Sequence, residues 1–317
     1  MMSNPDLALE SSGLVLNVYK EIPWTSHDAV SRVRRILGIR QVGHGGSLDP
    51  FANGVLIVCV GRATKLLTHL VDLGKGYRGT LRLGRRTDSG DLGGQVVEER
   101  AVPALDQGAL QAAADRFIGA IEQIPPMVSA VKIDGQRLYD LARKGVEVER
   151  KARRVEIGRF TITKVELPRV DFEVECGKGT YIRTLAEDLA KAVGTVGMIE
   201  TLSRTHVGPF EIADACRLIS PPGSTRDGLL SQAVDMNRAL SHLQGIKVDH
   251  AWIRRLRQGG VPPRNALHIE ATPRPGQRVR LIGPAGDLLA IARWDLLPGP
   301  ADRPIDASLC LELERVI

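Results

Sequence analysis

The sequence predicts an α/β fold followed by a smaller β-rich part, and three observations lead there. Runs rich in apolar and branched residues, GLVLNVYK from Gly13, VLIVCV from Val55 and VDFEVECGKG from Val170, alternate with segments whose apolar residues recur at helical spacing. At 317 residues the chain exceeds what one hydrophobic core usually supports. After a Pro/Gly/Ser-rich break, SPPGST at 220–225, the pattern changes to short strands with Gly/Pro turns from about Gly245. The expected division is therefore 1–244 and 245–317.

Beyond a polar start, the run from Gly13 reads as a strand that ends in a turn at 21–24. Thr25 or Ser26 caps the helix that follows, whose apolar positions Ala29, Val30, Val33, Ile36 and Leu37 lead to a stop at Gly38. Its other face carries Arg32, Arg34 and Arg35, either solvated or facing RNA. VLIVCV is apolar throughout, as a central strand covered on both faces would be. GYRGTLRLG alternates, with Tyr77, Leu81 and Leu83 on one side and Arg78, Thr80 and Arg82 on the other, so Tyr77 points inward. RTDSGDLGGQ is a Gly/Asp turn whose carboxylates read as turn formers, since calcium-loop spacing is absent. A helix is expected at about 105–121. Between Gln136 and Phe160 there are eight Arg/Lys against four Asp/Glu, which marks either a protruding element that grips RNA or a charged surface hairpin. In GTYIRTLAEDLAKAVG, Thr180 is expected as N-cap and 181–193 as helix. Arg183 then falls in the first turn, where the helix dipole disfavours a cation, and a local rule broken in this way points to a purpose.

The net charge of +6 and pI near 9.3 lean towards a polyanionic partner. Seven arginines (254, 255, 257, 264, 274, 278 and 280) against the single acid Glu270 make 252–282 the clearest basic patch. Cys59, Cys176, Cys216 and Cys310 are scattered, without a CxxC pair, and read as reduced thiols of a cytoplasmic protein rather than a zinc site or disulfide framework. The start has no basic-then-apolar signal region, and the longest apolar run is too short to span a bilayer, so no membrane is expected.

The most informative window is GHGGSLDPFANGVL, residues 43–56. Gly43, Gly45 and Gly46 let a bulky ligand approach the backbone, and Pro50 stiffens the stretch that holds Asp49. Taken alone, an Asp in such a loop is more often a turn former than a catalyst. GxxxxGK[ST] is missing, so this is no ATP-type phosphate loop.

The pattern Gly-His-small-Gly-small-Leu-Asp-Pro, then Ala-x-Gly-Val-Leu, closely resembles the catalytic loop of the TruB family of pseudouridine synthases, which isomerise a uridine in the T loop of tRNA. Lys75-Gly76-Tyr77 resembles the family's K-x-Y strand, IPPMVSAVK its P-P-x-x-S-A-x-K segment, GKGTYIRTLAEDLA its G-T-Y-I-R motif, and LSRTHVGPF its L-x-R-T-x-x-G-x-F strand. The resemblance covers Gly13 to about Ala215. The family's K-P-x-G-x-T-S is changed here to Lys20-Glu21-Ile22-Pro23-Trp24-Thr25-Ser26, and Asn53 stands where Thr or Ser is commoner. The part from 245 is similar in length, position and basic β character to a PUA-type RNA-binding domain.

The resemblance implies a pseudouridine synthase catalytic fold with a mixed, largely antiparallel sheet, a basic inserted segment at about 125–155, and isomerisation of tRNA uridine-55 with base flipping. It makes Asp49 the nucleophile and Arg183 the cation that keeps it charged. Tyr77 packs on the uracil and assists removal of the C5 proton, Tyr181 and Leu202 line the pocket, His44 inserts beside the flipped base, and Lys20 supports substrate binding. No cofactor or metal is implied; the partner is the tRNA T stem-loop, and no protein partner is implied. A glycoside hydrolase would need a second acid of comparable context. A guide-RNA-dependent synthase of the same superfamily and a non-catalytic RNA-binding or RNA-folding protein stay as alternatives; the short termini favour a stand-alone tRNA enzyme.

Overall fold

The branched run after Gly13 extends as β1 (Leu14–Lys20) in the computed structural model of the chain, which describes residues 13–127, 132–133, 136–137, 148–294 and 311–317. Thr25 caps α1 (Ser26–Leu37) through a reciprocal box with Asp28, and Gly38 ends it in the left-handed conformation at φ 74°. Then come β2 (Val42–His44), β3 (Asn53–Val60), a 3₁₀ turn and α2 (Leu67–Val71), β4 (Lys75–Leu83), and a hairpin of β5 (Arg85–Thr87) and β6 (Val96–Glu99). Next are α3 (Gln107–Asp115), β7 (Gly119–Gln123), the short pair β8 (Lys132–Ile133) and β9 (Gln136–Arg137), β10 (Arg153–Glu166), β11 (Arg169–Cys176), α4 (Ile182–Ala192) and β12 (Gly197–Val207). The remainder is β13 (Phe210–Glu211), β14 (Cys216–Arg217), α5 (Arg226–Ser231), β15 (Val234–Asp235), α6 (Met236–Ala239), β16 (Gln244–Val248), α7 (Ile253–Arg257), β17 (Leu267–His268), β18 (Arg278–Ile282), β19 (Leu288–Trp294) and β20 (Leu311–Val316).

Among the described residues, the larger sheet has eleven strands, with the path β14-β1-β3-β12-β4-β11-β10-β7. The β1–β14 and β3–β12 pairs are parallel, and the other neighbours on the path are antiparallel. This is the mixed, largely antiparallel sheet that the resemblance implies. β3 is buried from Gly54 to Val60 because helices or coil cover both its faces. Leu56, Val58 and Val60 pack with α1, whereas Val55, Ile57 and Cys59 face Leu66, Leu70 and Val207. A third core lies between the sheet and α3 and α4, where Leu48, Tyr77, Leu81, Phe160, Phe172, Leu185 and Leu202 meet.

Two local expectations are corrected. The helix expected at 105–121 runs only over Gln107–Asp115, with Arg116 as its C-cap, because 119–123, opening on Gly119 at φ 95°, pairs with β10 as an edge strand. Thr180 is not the N-cap of α4: its hydroxyl donates to Gly177 O at 3.1 Å, and Tyr181 occupies the cap position. The expected polar face of α1 is partly tied down, with Arg32 donating to Leu218 O and Arg34 to Val42 O. Much of the basic segment at 125–155, namely 128–131, 134–135 and 138–147, lies outside the described residues, as does Cys310.

A second sheet of five strands, order β17-β16-β18-β19-β20, has its own core around Ile246, Leu256, Leu281 and Trp294. One of its faces closes on the first sheet. Leu288, Ile291 and Ile317 share a cluster with Val15, Ile57, Cys59 and Leu70. Asp72, just after α2, joins the two sheets by accepting from Lys178 at 2.7 Å and from Arg278 at 3.1 Å, and Arg278 continues to Glu314 at 2.7 Å. Among the described residues, no helix is long and apolar enough to cross a membrane.

Candidate active site

Loops rich in glycine are floppy unless their backbone is tied, and the segment 45–50 is tied at nearly every residue. Gly45 N donates to Ile57 O at 2.8 Å, which extends the β2–β3 pairing. Ser26, 5% exposed at the start of α1, accepts from Leu48 N at 2.9 Å and donates to Leu48 O at 3.2 Å. Arg204 on β12, 1% exposed, donates Nε to Val55 O, Nη1 to Ser47 O and Nη2 to Gly46 O at 2.6, 3.2 and 3.2 Å. Lys20 at the end of β1 is wholly buried, its ammonium donating to Trp24 O, Glu21 O and Pro50 O at 2.6, 3.1 and 3.4 Å. The altered 20–26 motif is thus a turn closed around its own lysine, with Trp24 N donating to Glu21 O. Burial lowers the Lys20 pKa to about 8, and the Asp49 carboxylate works against that fall.

Asp49 is half-buried at the exposed rim of this framework and meets Arg183 side-on: Nε lies 3.0 Å from one carboxylate oxygen and Nη2 donates to the other at 3.1 Å. One charge-assisted hydrogen bond and one close ion-pair contact from the same planar cation thus hold both carboxylate oxygens. Arg183 comes from the first turn of α4 and is 4% exposed, with Nη1 donating to Ser89 O at 2.8 Å and lying 3.7 Å from Asp91. The unfavourable dipole at this helix start is therefore opposed by acceptors on two other elements. Burial pushes the Asp49 pKa up, Arg183 pulls it down and Asp91 pushes it up again. The result is an oriented carboxylate, less strongly acidic than a solvated one, beside a cation that stabilises its charged form: suited to nucleophilic or acid–base work.

Tyr77 on β4 and Leu202 on β12 lie 8% and 5% exposed in the cluster that also holds Leu48 and Ala52, so they flank the Asp49 loop. Burial raises the Tyr77 pKa, and the positive charge of Arg204 opposes that rise. Tyr181 stands half-exposed at the cap of α4, two residues from Arg183. His44 sits on β2, paired with Val58, and burial with the Arg204 charge lowers its pKa towards the neutral ring. Asp49 and Arg183 meet directly, and Tyr77 and Leu202 pack in the cluster beside the Asp49 loop; His44, Lys20 and Tyr181 lie on neighbouring backbone.

Four further residues shape the site without having stood out in the sequence. Asp91 lies in the Gly/Asp turn and does serve it, accepting from Gly93 N at 2.9 Å and Ser89 Oγ at 2.9 Å, yet its other oxygen faces Arg183. Ser26 gave no signal beyond its choice as an alternative cap. Arg204 sits inside LSRTHVGPF, where a buried arginine on a strand was the available clue. Gln123, 1% exposed at the end of β7, accepts from Tyr181 N at 3.0 Å and donates to Tyr181 O at 3.4 Å; nothing local marked it.

Residues 34–182 match the family model described as TruB family pseudouridylate synthase, N-terminal domain. Over 282 residues the chain is 41% identical to tRNA pseudouridine synthase B of Moorella thermoacetica, covering 88% of this chain and 92% of that one. The chain belongs to the TruB family. The tRNA pseudouridine synthase B of Burkholderia pseudomallei (strain 668) is 39% identical over 279 residues, with the same coverage of 88% and 92%. In fold, the chain is similar to one from a Cbf5–Nop10–Gar1 complex, with a TM-score of 0.74 and 23% identity over 99% of this chain and 87% of that one. The mixed sheet and the Asp49 loop thus belong to a TruB-family pseudouridine synthase, an isomerase.

Proposed function

We propose that this TruB-family enzyme isomerises uridine-55 in the T loop of tRNA, with Asp49 as nucleophile. The observation that supports it is the pairing of Asp49 with the buried Arg183, which contacts both carboxylate oxygens, on a loop whose backbone is tied from three sides. The reaction breaks the N1–C1′ bond, turns the uracil and forms a C5–C1′ bond, while a proton leaves C5 and one is gained at N1. Asp49 attacks C1′ as N1 departs and is released when C5 returns. Arg183 keeps the carboxylate ionised against desolvation. Tyr77 packs on the base and assists the C5 proton, Leu202 and Tyr181 line the pocket, Lys20 supports it, and His44 fills the stack left by the flipped uridine.

The tRNA substrate follows from the names of the relatives, with which this chain shares about two-fifths of its residues. Residues 1–244 form the catalytic domain on this reading, with the segment at 125–155 gripping RNA, and 245–317 a PUA-like RNA-binding domain. Exposed Arg254, Arg255 and Arg274 supply phosphate contacts there. The buried thiols Cys59, Cys176 and Cys216 suit the cytoplasm. The test is to incubate the protein with an isolated T stem-loop and map pseudouridine. Product without added guide RNA is expected, and its appearance only with a guide would favour the guide-dependent reading instead. Asp49→Asn should fall below about a tenth of the wild-type rate, a barrier change of at least about 1.4 kcal/mol, with RNA affinity within a few fold.

A further inference from the structure

We infer that Arg204 is a positioning residue that sets the depth of Asp49 and the placement of Tyr77 together, so that carboxylate and phenol move as one unit. The inference rests on the catalytic reading of Asp49 and Tyr77 above and concerns a side chain that lies too deep to touch substrate, at 1% exposed.

A guanidinium has five N–H donors in a fixed plane, and burying it is unfavourable unless those donors are met. Here Nε, Nη1 and Nη2 reach three different carbonyls, Val55, Ser47 and Gly46, which bracket Asp49 on both sides along the chain. The same cation acts on the Tyr77 hydroxyl. β12 and β4 pair Arg204 with Tyr77 directly, so the two side chains start from neighbouring Cα positions. Gly54 explains how the strand comes so near: at φ 105° a Cβ there would collide with the backbone of Arg204. The side chain anchored in the loop that aims the nucleophile therefore starts beside the ring that receives the base. A lysine at this position keeps the charge but offers a compact ammonium that cannot span the three carbonyls in one plane.

The test pairs Arg204→Lys and Arg204→Gln with wild type, using a T stem-loop of defined sequence under single-turnover conditions. The expected result is a fall of at least about 30-fold in rate for both, with stem-loop affinity within about threefold and the circular dichroism of a folded protein. Tyrosine labelled at Cζ gives a second readout independent of turnover: with four tyrosines in the chain, the Tyr77 resonance, assigned with Tyr77→Phe, should shift in both variants while Tyr19 stays in place. A wild-type rate in the lysine variant, or an unmoved Tyr77 resonance, would overturn the inference. Should neither variant fold, hydrogen exchange of the Arg204 Nε–H in wild type decides: slow exchange supports the clamp and solvent-like exchange refutes it. If wild type itself makes no pseudouridine, the functional reading fails, while the resonance and exchange measurements still report on Arg204.

Discussion

Arg183 meets Asp49 through Nε and Nη2 and reaches Ser89 O and the Asp91 carboxylate with Nη1, so three acceptors share one cation. Arg183→Lys keeps the charge and loses the plane. Single-turnover isomerisation of the stem-loop should drop by at least about tenfold, with binding nearly unchanged, because an ammonium leaves the carboxylate free to rotate. A wild-type rate would refute orientation as its role. Asp91 bears on the pH profile. On the proposed mechanism Asp49 acts ionised, so the rate should fall as pH drops through its pKa, which burial and Asp91 both raise. Asp91→Asn removes one raising influence, and the acid limb of the single-turnover profile should move to lower pH. A limb that moves upward or stays would mean that Asp91 serves only its turn. At the other end, Lys20 loses its proton near pH 8 and with it the charge that faces Asp49. An alkaline limb near pH 8 is expected, and Lys20→Arg should displace it upward if that variant folds.

The helix α4 carries Arg183 into the site without a cap from its own chain segment: Thr180 turns back to Gly177 O, and Gln123 on β7 satisfies Tyr181 N instead. Replacing Gln123 with Leu takes away the acceptor of Tyr181 N, while Tyr181 O keeps its bond from Leu185 N, and should cost about 1 kcal/mol or more of stability. It should also slow isomerisation, since the first turn of α4 aims Arg183. Thermal melting and single-turnover rates measured together check this; unchanged values of both would show that the borrowed cap is incidental. The contrast with α1 shows which features the sequence made legible. Thr25 and Gly38 lie within one short segment, so a cap at Thr25 or Ser26 and the stop could be read directly, and the structure settles the cap on Thr25. The two-sided burial of β3 and the inward side of Tyr77 followed equally from local period. Contiguous motifs gave Asp49, Tyr77 and Arg183 through family resemblance. Asp91, Gln123 and Ser26 act across 92, 58 and 22 positions of chain respectively, and no local pattern encodes such pairing. The end of α3 was missed because what draws 119–123 away from the helical path is its pairing with 153–157, a partner more than thirty positions on.

On the scale of the whole molecule, the seven-arginine stretch divides into two kinds of residue. Arg278 and Arg280 are half-buried: Arg278 joins Asp72 to Glu314, and Arg280 donates to Leu243 O and Asn237 O. Arg254, Arg255, Arg257, Arg264 and Arg274 remain exposed. Replacing Arg254, Arg255 and Arg274 with Ala should lower the log–log salt slope of whole-tRNA binding by about one per lost phosphate contact, with stem-loop turnover retained. An unchanged slope would place the RNA elsewhere. Excision of 245–317 is a different experiment, because it strips Leu288, Ile291 and Ile317 from the face formed by Val15, Ile57, Cys59 and Leu70. The truncated protein should bind ANS and sediment as aggregates more readily than the full chain. That shared face also has a consequence for biosynthesis. Val15 leaves the ribosome about three hundred residues before Ile317, an interval of roughly 15–60 s at ordinary elongation rates. Until the last strands are made, the part of that face that Leu288, Ile291 and Ile317 cover stays open on the nascent chain, so its yield in the cell should respond to translation speed and to the chaperones that meet it.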